Sequence, residues 1–181
     1  GVYSVLGNHD YGEYTSWKSN EEKNKNFKNL LKAQKEFGWN LLLNENDTIS
    51  VDGNKIKVIG VENWASSRFQ QYGDLDKAYN GLNNEDFKIL MTHNPSHWNA
   101  KVTDAYNDID LTLSGHTHGL QYGIDIGDFR VSPVRLAYKQ WADLYELNKQ
   151  YIYVNRGFGF MGYPGRVGIL PEITILELKK S

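Results

Sequence analysis

Three short motifs, each placed directly after an apolar run, carry residue types that bind metals or transfer protons. The motifs are GNHD (residues 7–10), MTHNP (91–95) and GHTHG (115–119). Imidazole binds Zn, Fe, Mn and Ni, and carboxylate and amide oxygens complete such ligand shells. A histidine that titrates near neutral pH also transfers protons during catalysis. The motifs therefore indicate a histidine-rich metal site.

The spacing within GHTHG limits the backbone that can bring both of its histidines to one site. Residues i and i+2 point to opposite faces of a strand and diverge on a helix. His116 and His118 can point to the same place only from an irregular loop, and Gly115 and Gly119 permit such a backbone. The fifth histidine, His97, belongs to a predicted helix within 95–106, and we interpret it as a hydrogen-bonded or surface residue.

Alternating strands and helices are predicted to position these motifs. Apolar runs predict strands over 2–6, 87–91, 109–114, 150–154 and 172–180, and helical spacing predicts a helix over 26–38 that ends at Gly38. Asp52-Gly53 predicts a hairpin turn between two further strands. This pattern is typical of an α/β or α+β protein, in which ligands bind beyond the carboxyl ends of the strands. We expect one domain over residues 1–181.

Composition excludes several classes of site. The net charge of −2 provides no basic stripe of the kind that binds nucleic acid, and the absence of cysteine excludes disulfides and thiolate ligands. No apolar run reaches the roughly 18 residues of a membrane span. Any metal site must therefore use histidine, asparagine, aspartate or glutamate.

The ordered set of GNHD, a strand-end histidine and GHTHG closely resembles the calcineurin-like metallophosphoesterase superfamily. The run YVNRGFGFMGYPGRV (153–167) resembles a bacterial branch related to membrane-associated phosphohydrolases that act on nucleotide-lipid or simple diester substrates. The resemblance implies an α/β fold, a layered α/β/β/α sandwich. It also implies two divalent metal ions, Mn, Fe, Zn or Ni, and a bridging hydroxide.

The resemblance assigns a role to each motif residue. Asn8, His93 and His116 would bind one metal, and His118 would help to bind the other. His9 would face the scissile phosphate as the acid for the leaving oxygen, and Asp10 would orient the His9 ring. Asn8 would also contact the substrate. The alternative for Asp10 is a turn residue at the end of the strand.

Two motifs that supply aspartates and a histidine in this superfamily precede GNHD, and the six residues before it cannot replace them. We therefore expect an N-terminally truncated domain, which binds one metal or none and has weak or no activity alone. Glu62, Asp125 and Asp128 are available carboxylates, although no spacing favours them as substitutes.

Several residues near the motifs leave two interpretations open. Arg156 would bind the substrate phosphate or pair with an acidic group. Four apolar residues of the glycine-rich loop would form a wall for a lipid-like substrate, or more simply pack beneath that loop: Phe158, Phe160, Met161 and Tyr163. The segment Glu62-Asn63-Trp64 would shape the substrate cleft or be a solvated strand end.

The predicted function is metal-dependent phosphoester hydrolysis, either phosphodiesterase or pyrophosphatase-like. The substrate would be a phosphoester, which is nucleotide-like or lipid-linked, and membrane association would come only through a preceding segment. The alternative is a non-catalytic binding scaffold of the same fold, which has no use for His9 as an acid. A metal-storage module would show a denser histidine tract.

Overall fold

The computed structural model describes residues 1–66, 70–83, 85–127 and 129–179, and it shows a mixed α/β protein. The strands in chain order are β1 (Val2–Ser4), β2 (Trp39–Leu41), β3 (Glu45–Val51), β4 (Asn54–Gly60), β5 (Phe87–Met91), β6 (Leu111–Ser114), β7 (Ile124–Ile126), β8 (Phe129–Val131), β9 (Asp143–Leu147) and β10 (Gln150–Val154). The helices are α1 (Asn20–Glu36), α2 (Leu75–Tyr79) and α3 (Thr103–Ala105), the last continuing a π-helical turn at Trp98–Val102. The predicted fold class, α/β, is confirmed.

A six-stranded sheet in the order β3-β4-β5-β6-β10-β9 carries most of the site. Its four inner strands are parallel, and the outer strands β3 and β9 pair antiparallel with their neighbours. Parallel strands present their carboxyl ends at one edge, so the loops after β5 and β6 emerge side by side. These loops carry His93 and His116.

A separate parallel pair, β1 and β2, delivers the GNHD motif. Gly60 at the end of β4 permits this pair to lie close to the large sheet, because a Cβ there would be 2.3 Å from Leu42 Cβ and 3.0 Å from Val5 Cγ1. Leu6, directly after β1, is fully buried and fixes the start of the motif.

Two apolar clusters hold these elements together. The larger one joins β4, β5 and β10 to α2 and the π-helical turn, and it contains Ile59, Val61, Leu75, Ala78, Leu90, Trp98, Val102, Tyr106, Ile109, Ile152 and Val154. The smaller one lies beside the GHTHG loop and contains Val134, Trp141, Ala142 and Ile169, with Tyr138 packed against it. The second cluster therefore supports the site rather than the sheet.

Helix α1 begins earlier than the apolar spacing predicts. The helix starts at Asn20 because the Ser19 hydroxyl accepts a hydrogen bond from the Glu22 backbone N–H, and the first turn carries Glu21 and Glu22, whose charge favours a helix N-terminus. Its end agrees with the prediction, since Gly38 has a φ of 73° just beyond the helix. Capping residues, not apolar periodicity, set the N-terminal boundary.

The hairpin at Asp52-Gly53 is confirmed, as both residues adopt positive φ between β3 and β4.

The predicted strand over 172–180 is wrong for residues 172–179, and Lys180 lies outside the described residues. Ile173 is 86% and Ile175 93% exposed. Alternation specifies a strand only where another strand offers an edge, and this segment is held instead by side-chain bonds to Tyr153. No helix in the described ranges is long and apolar enough to cross a bilayer.

Gly60→Ala tests the close approach of the two sheets. We expect it to lower the free energy of unfolding by about 1–3 kcal/mol, because the added methyl overlaps Leu42. Urea unfolding followed by tryptophan fluorescence measures the loss. Gly159→Ala is the matched control, since nothing lies within 4 Å of its added Cβ. Equal stability of the two variants would contradict the packing described here.

Candidate metal centre and active site

Three potential ligand atoms from three different loops meet at one point. Asn8 Oδ1 lies 2.9 Å from His93 Nε2 and 3.1 Å from His116 Nδ1, and the two nitrogens are 3.1 Å apart. The first atom comes from the loop after β1 and the others from the loops after β5 and β6. The structure thus brings together the residues that the motifs marked, although their roles remain predictions.

The glycine of GNHD makes this meeting sterically possible. A Cβ on Gly7 would lie 2.7 Å from His93 Cε1 and Nδ1, so only glycine lets the backbone pass beside the ring. Asn8 is oriented from its other side, because its Nδ2 donates a hydrogen bond of 2.8 Å to the Tyr14 hydroxyl. This bond leaves Asn8 Oδ1 facing the two histidines.

The GHTHG loop has the irregular backbone that the spacing predicts. His116 and His118 adopt φ values of 68° and 50°, and Gly119 also has a positive φ. Such conformations cost energy at non-glycine residues and persist where the surroundings impose them. Here the Thr117 hydroxyl donates to the Trp141 carbonyl at 2.7 Å, and the Ser132 hydroxyl donates to the Gly119 carbonyl at 2.7 Å. Both hydrogen bonds are buried, and they fix the GHTHG loop to the segments around Ser132 and Trp141.

The histidines at the meeting point are held in the neutral form. Burial, aided by the neighbouring imidazoles, lowers the pKa of His93 to about 3. The same causes lower the pKa of His116 to about 4. Neutral imidazole is the form that ligates a metal.

The donor set fits one divalent metal. Ligand atoms bound at about 2.1 Å and at right angles lie about 3 Å apart, which matches the spacing of the three atoms here. Asn8 is essential to this set, because in the described ranges no three histidine or carboxylate side chains form a group that could hold a metal ion. His118 Nδ1 is buried and has no hydrogen-bond partner among the residues that the structure describes, which suits a further ligand.

His9 and Asp10 lie beside the meeting point in different arrangements. The His9 ring stacks on Tyr14 with ring centres 4.4 Å apart, and both line the cavity. The Asp10 carboxylate accepts a hydrogen bond of 2.7 Å from the Gly7 backbone N–H. Within the described residues it makes no hydrogen bond to His9, so Asp10 acts as a turn residue here. Its role in orienting His9 remains a prediction.

Two tyrosines take part in the site without belonging to any motif. Tyr14 supports Asn8 and His9, and the Tyr138 hydroxyl lies 2.8 Å from His116 Nε2, the ring nitrogen opposite the ligand atom. Outer groups of this kind fix the orientation and tautomer of a ligating histidine. The only hint of this role in the sequence is that Tyr14 lies close to the GNHD motif.

The site opens into a cavity of about 560 Å³ that both polar and apolar residues line. The polar lining residues are Asn8, the four motif histidines, Tyr14, Thr117 and Tyr138. The apolar lining residues are Leu120, Pro133, Val134, Ala137 and Met161. The cavity therefore offers both polar groups and carbon surface to a ligand.

Arg156 takes the second of its two predicted alternatives. Its Nε donates at 2.6 Å to Glu172 Oε2, and its Nη1 pairs with Asp125. The guanidinium is thus already neutralised by carboxylates, and phosphate binding by Arg156 remains a prediction. Burial alone raises the pKa of Glu172, but hydrogen bonds from Thr174, Tyr153 and Arg156 outweigh it and lower that pKa to about 2.

The candidate substitute carboxylates are occupied elsewhere. Glu62 accepts hydrogen bonds from Tyr11 at 3.0 Å and Asn44 at 2.8 Å, and Asp125 pairs with Arg130 and Arg156. Neither lines the histidine cavity. Asp128 lies outside the described residues.

The remaining alternatives are decided by burial. His97 is fully buried, 3.0 Å from the Thr92 hydroxyl and stacked on Trp64, which agrees with a hydrogen-bonded interpretation. Asn63 is 1% exposed, so the expectation of a solvated strand end is wrong. Phe158 is 77% and Phe160 63% exposed, which contradicts packing beneath the loop.

The Arg156 network predicts a specific pH dependence. The pKa of Glu172 is lowered from 4.5 to about 2, so its contribution to stability is complete above pH 4.5 and is lost as the pH falls towards 2. We expect Glu172→Gln to lower the free energy of unfolding by about 1–2 kcal/mol at pH 7 and by progressively less below pH 4.5. This figure is smaller than the full pKa shift implies, because water screens part of the network. Urea unfolding at pH 7 and pH 3 measures the difference.

Glu177→Gln is the control for this series, because Glu177 is an exposed carboxylate that pairs with the exposed Lys179. A loss for Glu172→Gln that stays constant with pH would show that the charge of the carboxylate is not what stabilises the network.

Comparisons with known proteins agree with the motifs. The family model described as calcineurin-like phosphoesterase matches residues 1–120. The uncharacterized metallophosphoesterase YkuE of Bacillus subtilis is 31% identical over the whole chain, which covers 57% of that relative. A bovine transmembrane protein with a metallophosphoesterase domain is 30% identical over the whole chain, which covers 39% of it.

Among solved structures, NAD nucleotidase (NadN) of Haemophilus influenzae is similar with a TM-score of 0.49 and 21% identity, over 86% of this chain and 33% of that one. The chain thus spans well under two thirds of the length of these relatives. The match of the family model to residues 1–120 shows that the chain belongs to the calcineurin-like phosphoesterase family.

Proposed function

We propose that this chain carries the histidine side of a metal-dependent phosphoester hydrolase. Asn8, His93 and His116 bind one divalent metal in this proposal, and His118 contributes to a second. The observation that carries it is the meeting of Asn8 Oδ1, His93 Nε2 and His116 Nδ1 within 2.9–3.1 Å of each other. Membership of a phosphoesterase family supports the reaction class.

When bound, divalent metals in such a site activate a water molecule and neutralise charge on the phosphoryl oxygens. The protein side chains supply position. Tyr14 holds Asn8 by its amide nitrogen, and Tyr138 holds His116 by the nitrogen opposite its ligand atom. The ligands are thereby fixed before the metal binds, which lowers the reorganisation needed during the reaction.

His9 is the proposed general acid. It lines the cavity beside Asn8 but contributes no atom to the meeting point, so it is available to the substrate. In this proposal an imidazolium N–H of His9 donates its proton to the leaving oxygen as the phosphorus–oxygen bond breaks. The stacked Tyr14 ring limits the rotation of His9 and keeps it at the cavity wall.

The substrate is proposed as a phosphoester with an organic substituent. The histidines supply polar groups to the cavity lining, and Leu120, Val134 and Met161 supply apolar surface in the same lining. Mn, Fe, Zn and Ni all suit a ligand set of histidine and amide oxygen.

Two variants separate metal binding from proton transfer. We expect His116→Ala to lose metal, measured by plasma mass spectrometry after loading with Mn or Zn and desalting. In a longer form of the protein that includes the two preceding motifs, we expect His9→Ala to keep its metal and to hydrolyse bis(p-nitrophenyl) phosphate about 10²–10⁴-fold more slowly than the unchanged longer protein. Asn24→Ala, on the exposed surface of α1, is the control for metal that is lost during desalting.

Equal metal loss in both variants would contradict the division of roles. Two bound metals without any turnover in that longer protein would favour the non-catalytic scaffold.

Tyr138→Phe tests the support of His116. It removes a hydroxyl 2.8 Å from His116 Nε2 and keeps the ring, so we expect metal affinity to fall about tenfold while the fold is retained. Titration calorimetry with Zn measures the dissociation constant. Tyr151→Phe, a tyrosine of β10 that does not line the cavity, is the matched control. An unchanged dissociation constant for Tyr138→Phe would show that His116 needs no such support.

A further inference from the structure

One buried side chain joins the glycine-rich loop, residues 157–165, to the GHTHG motif. Gln121 lies two residues after the motif and is only 4% exposed. Its Nε2 donates hydrogen bonds to the Tyr163 carbonyl at 2.7 Å and to the Gly165 carbonyl at 2.6 Å, and its Oε1 accepts one from the Met161 backbone N–H. Both donors and the acceptor of this one amide are therefore used within a single loop.

The backbone around Gln121 has a conformation that supports this contact. Leu120 and Gln121 adopt φ values of 53° and 57°, which residues other than glycine adopt rarely. The Val167 N–H donates to the Gln121 carbonyl at 2.8 Å, so the backbone as well as the side chain of Gln121 is bonded to this part of the chain. Costly backbone conformations of this kind cluster at ligand-binding sites.

Hydrogen bonds, and not apolar packing, hold the glycine-rich loop in place. The loop contains no helix or strand, and Phe158 and Phe160 are 77% and 63% exposed. At the opposite end of the loop from the Gln121 contacts, Arg166 donates to the Gly159 carbonyl at 2.8 Å. A change at Gln121 would therefore release the part of the loop that Arg166 does not hold.

Met161 is the point at which this loop meets the histidine cavity. Its side chain lines the cavity together with His118 and Leu120, and its backbone N–H is one of the groups that Gln121 holds. A methionine side chain is unbranched and adapts to the shape of its neighbours, so the anchoring of its backbone decides where it can reach. Gln121 thus determines where one part of the cavity wall lies.

We propose that Gln121 is a positioning residue, which fixes Met161 as the part of the cavity wall that contacts the organic substituent of a bound phosphoester. The inference rests on the proposed function and adds to it the residues that select among substituents. Met161 makes the contact, and Gln121 acts only through Met161.

The test compares the binding of phenyl phosphate with that of inorganic phosphate by titration calorimetry, in the longer form of the protein loaded with Mn. We expect Gln121→Leu to weaken phenyl phosphate about fivefold, as for the loss of a small apolar contact, and to leave inorganic phosphate unchanged. Met161→Ala should have the same effect. The double variant should lose no more than Met161→Ala alone, because two residues that act through one contact are not additive.

Gln150→Leu is the matched control. Gln150 is 2% exposed, and its Nε2 also donates to two backbone carbonyls, those of Tyr106 at 2.9 Å and Ile109 at 3.0 Å, but it does not line the cavity. Its loss should lower the stability of the fold without changing the ratio of the two dissociation constants. Met161→Ala keeps the test decisive if Gln121→Leu does not fold, since Met161 is 42% exposed.

Each outcome decides one part of the proposal. An unchanged ratio of the two dissociation constants in Gln121→Leu or in Met161→Ala overturns it. Losses that add in the double variant, or a ratio that shifts equally in Gln150→Leu, overturn the action of Gln121 through Met161. The expected changes in binding without turnover of bis(p-nitrophenyl) phosphate support the role of Gln121 and contradict the hydrolase function alone.

Discussion

The close passage of the Gly7 backbone beside the His93 ring is the contact on which the site depends. It joins the small β1–β2 pair to the large sheet at the point where the strand-end loops emerge. Any side chain at position 7 would push the ring away, because its Cβ would lie 2.7 Å from ring atoms. Asn8 reaches the histidines only because this space is empty. The first residue of GNHD is therefore a packing requirement, and the second is the chemical group that the packing delivers.

The position of the motif histidines could be predicted because parallel strands impose it. A residue at the carboxyl end of β5 must lie near one at the carboxyl end of β6, whatever their side chains are. The irregular loop at GHTHG followed from the spacing of His116 and His118 in the same way. Such rules act through the backbone and need no knowledge of distant side chains.

The groups that orient these histidines could not be predicted, because tertiary packing alone brings them to the site. Tyr138 follows the 3₁₀ turn at Pro133–Leu136, and it contacts His116 while it packs against a cluster that includes Trp141 and the distant Ile169. Arg156 follows β10 as expected, but its partners come from residues 125 and 172, which no local pattern links to it. The same limit explains the segment at 172–179. Its alternation of apolar and polar residues predicts a strand, but it does not show whether another strand is available to pair with it.

The separation of the ligand atoms along the chain has a consequence for assembly. Asn8 lies 85 positions before His93 and 108 before His116, so the set exists only after long loops have closed. Contacts of such high sequence separation are slow to form, because the entropy of closing the loop is lost before the contact is made. A metal ion bound at the proposed site would therefore act by mass action on the assembled protein, and it would not nucleate the fold as it does in a zinc finger. Metal supply would change how long the native state persists, not how the chain first finds it.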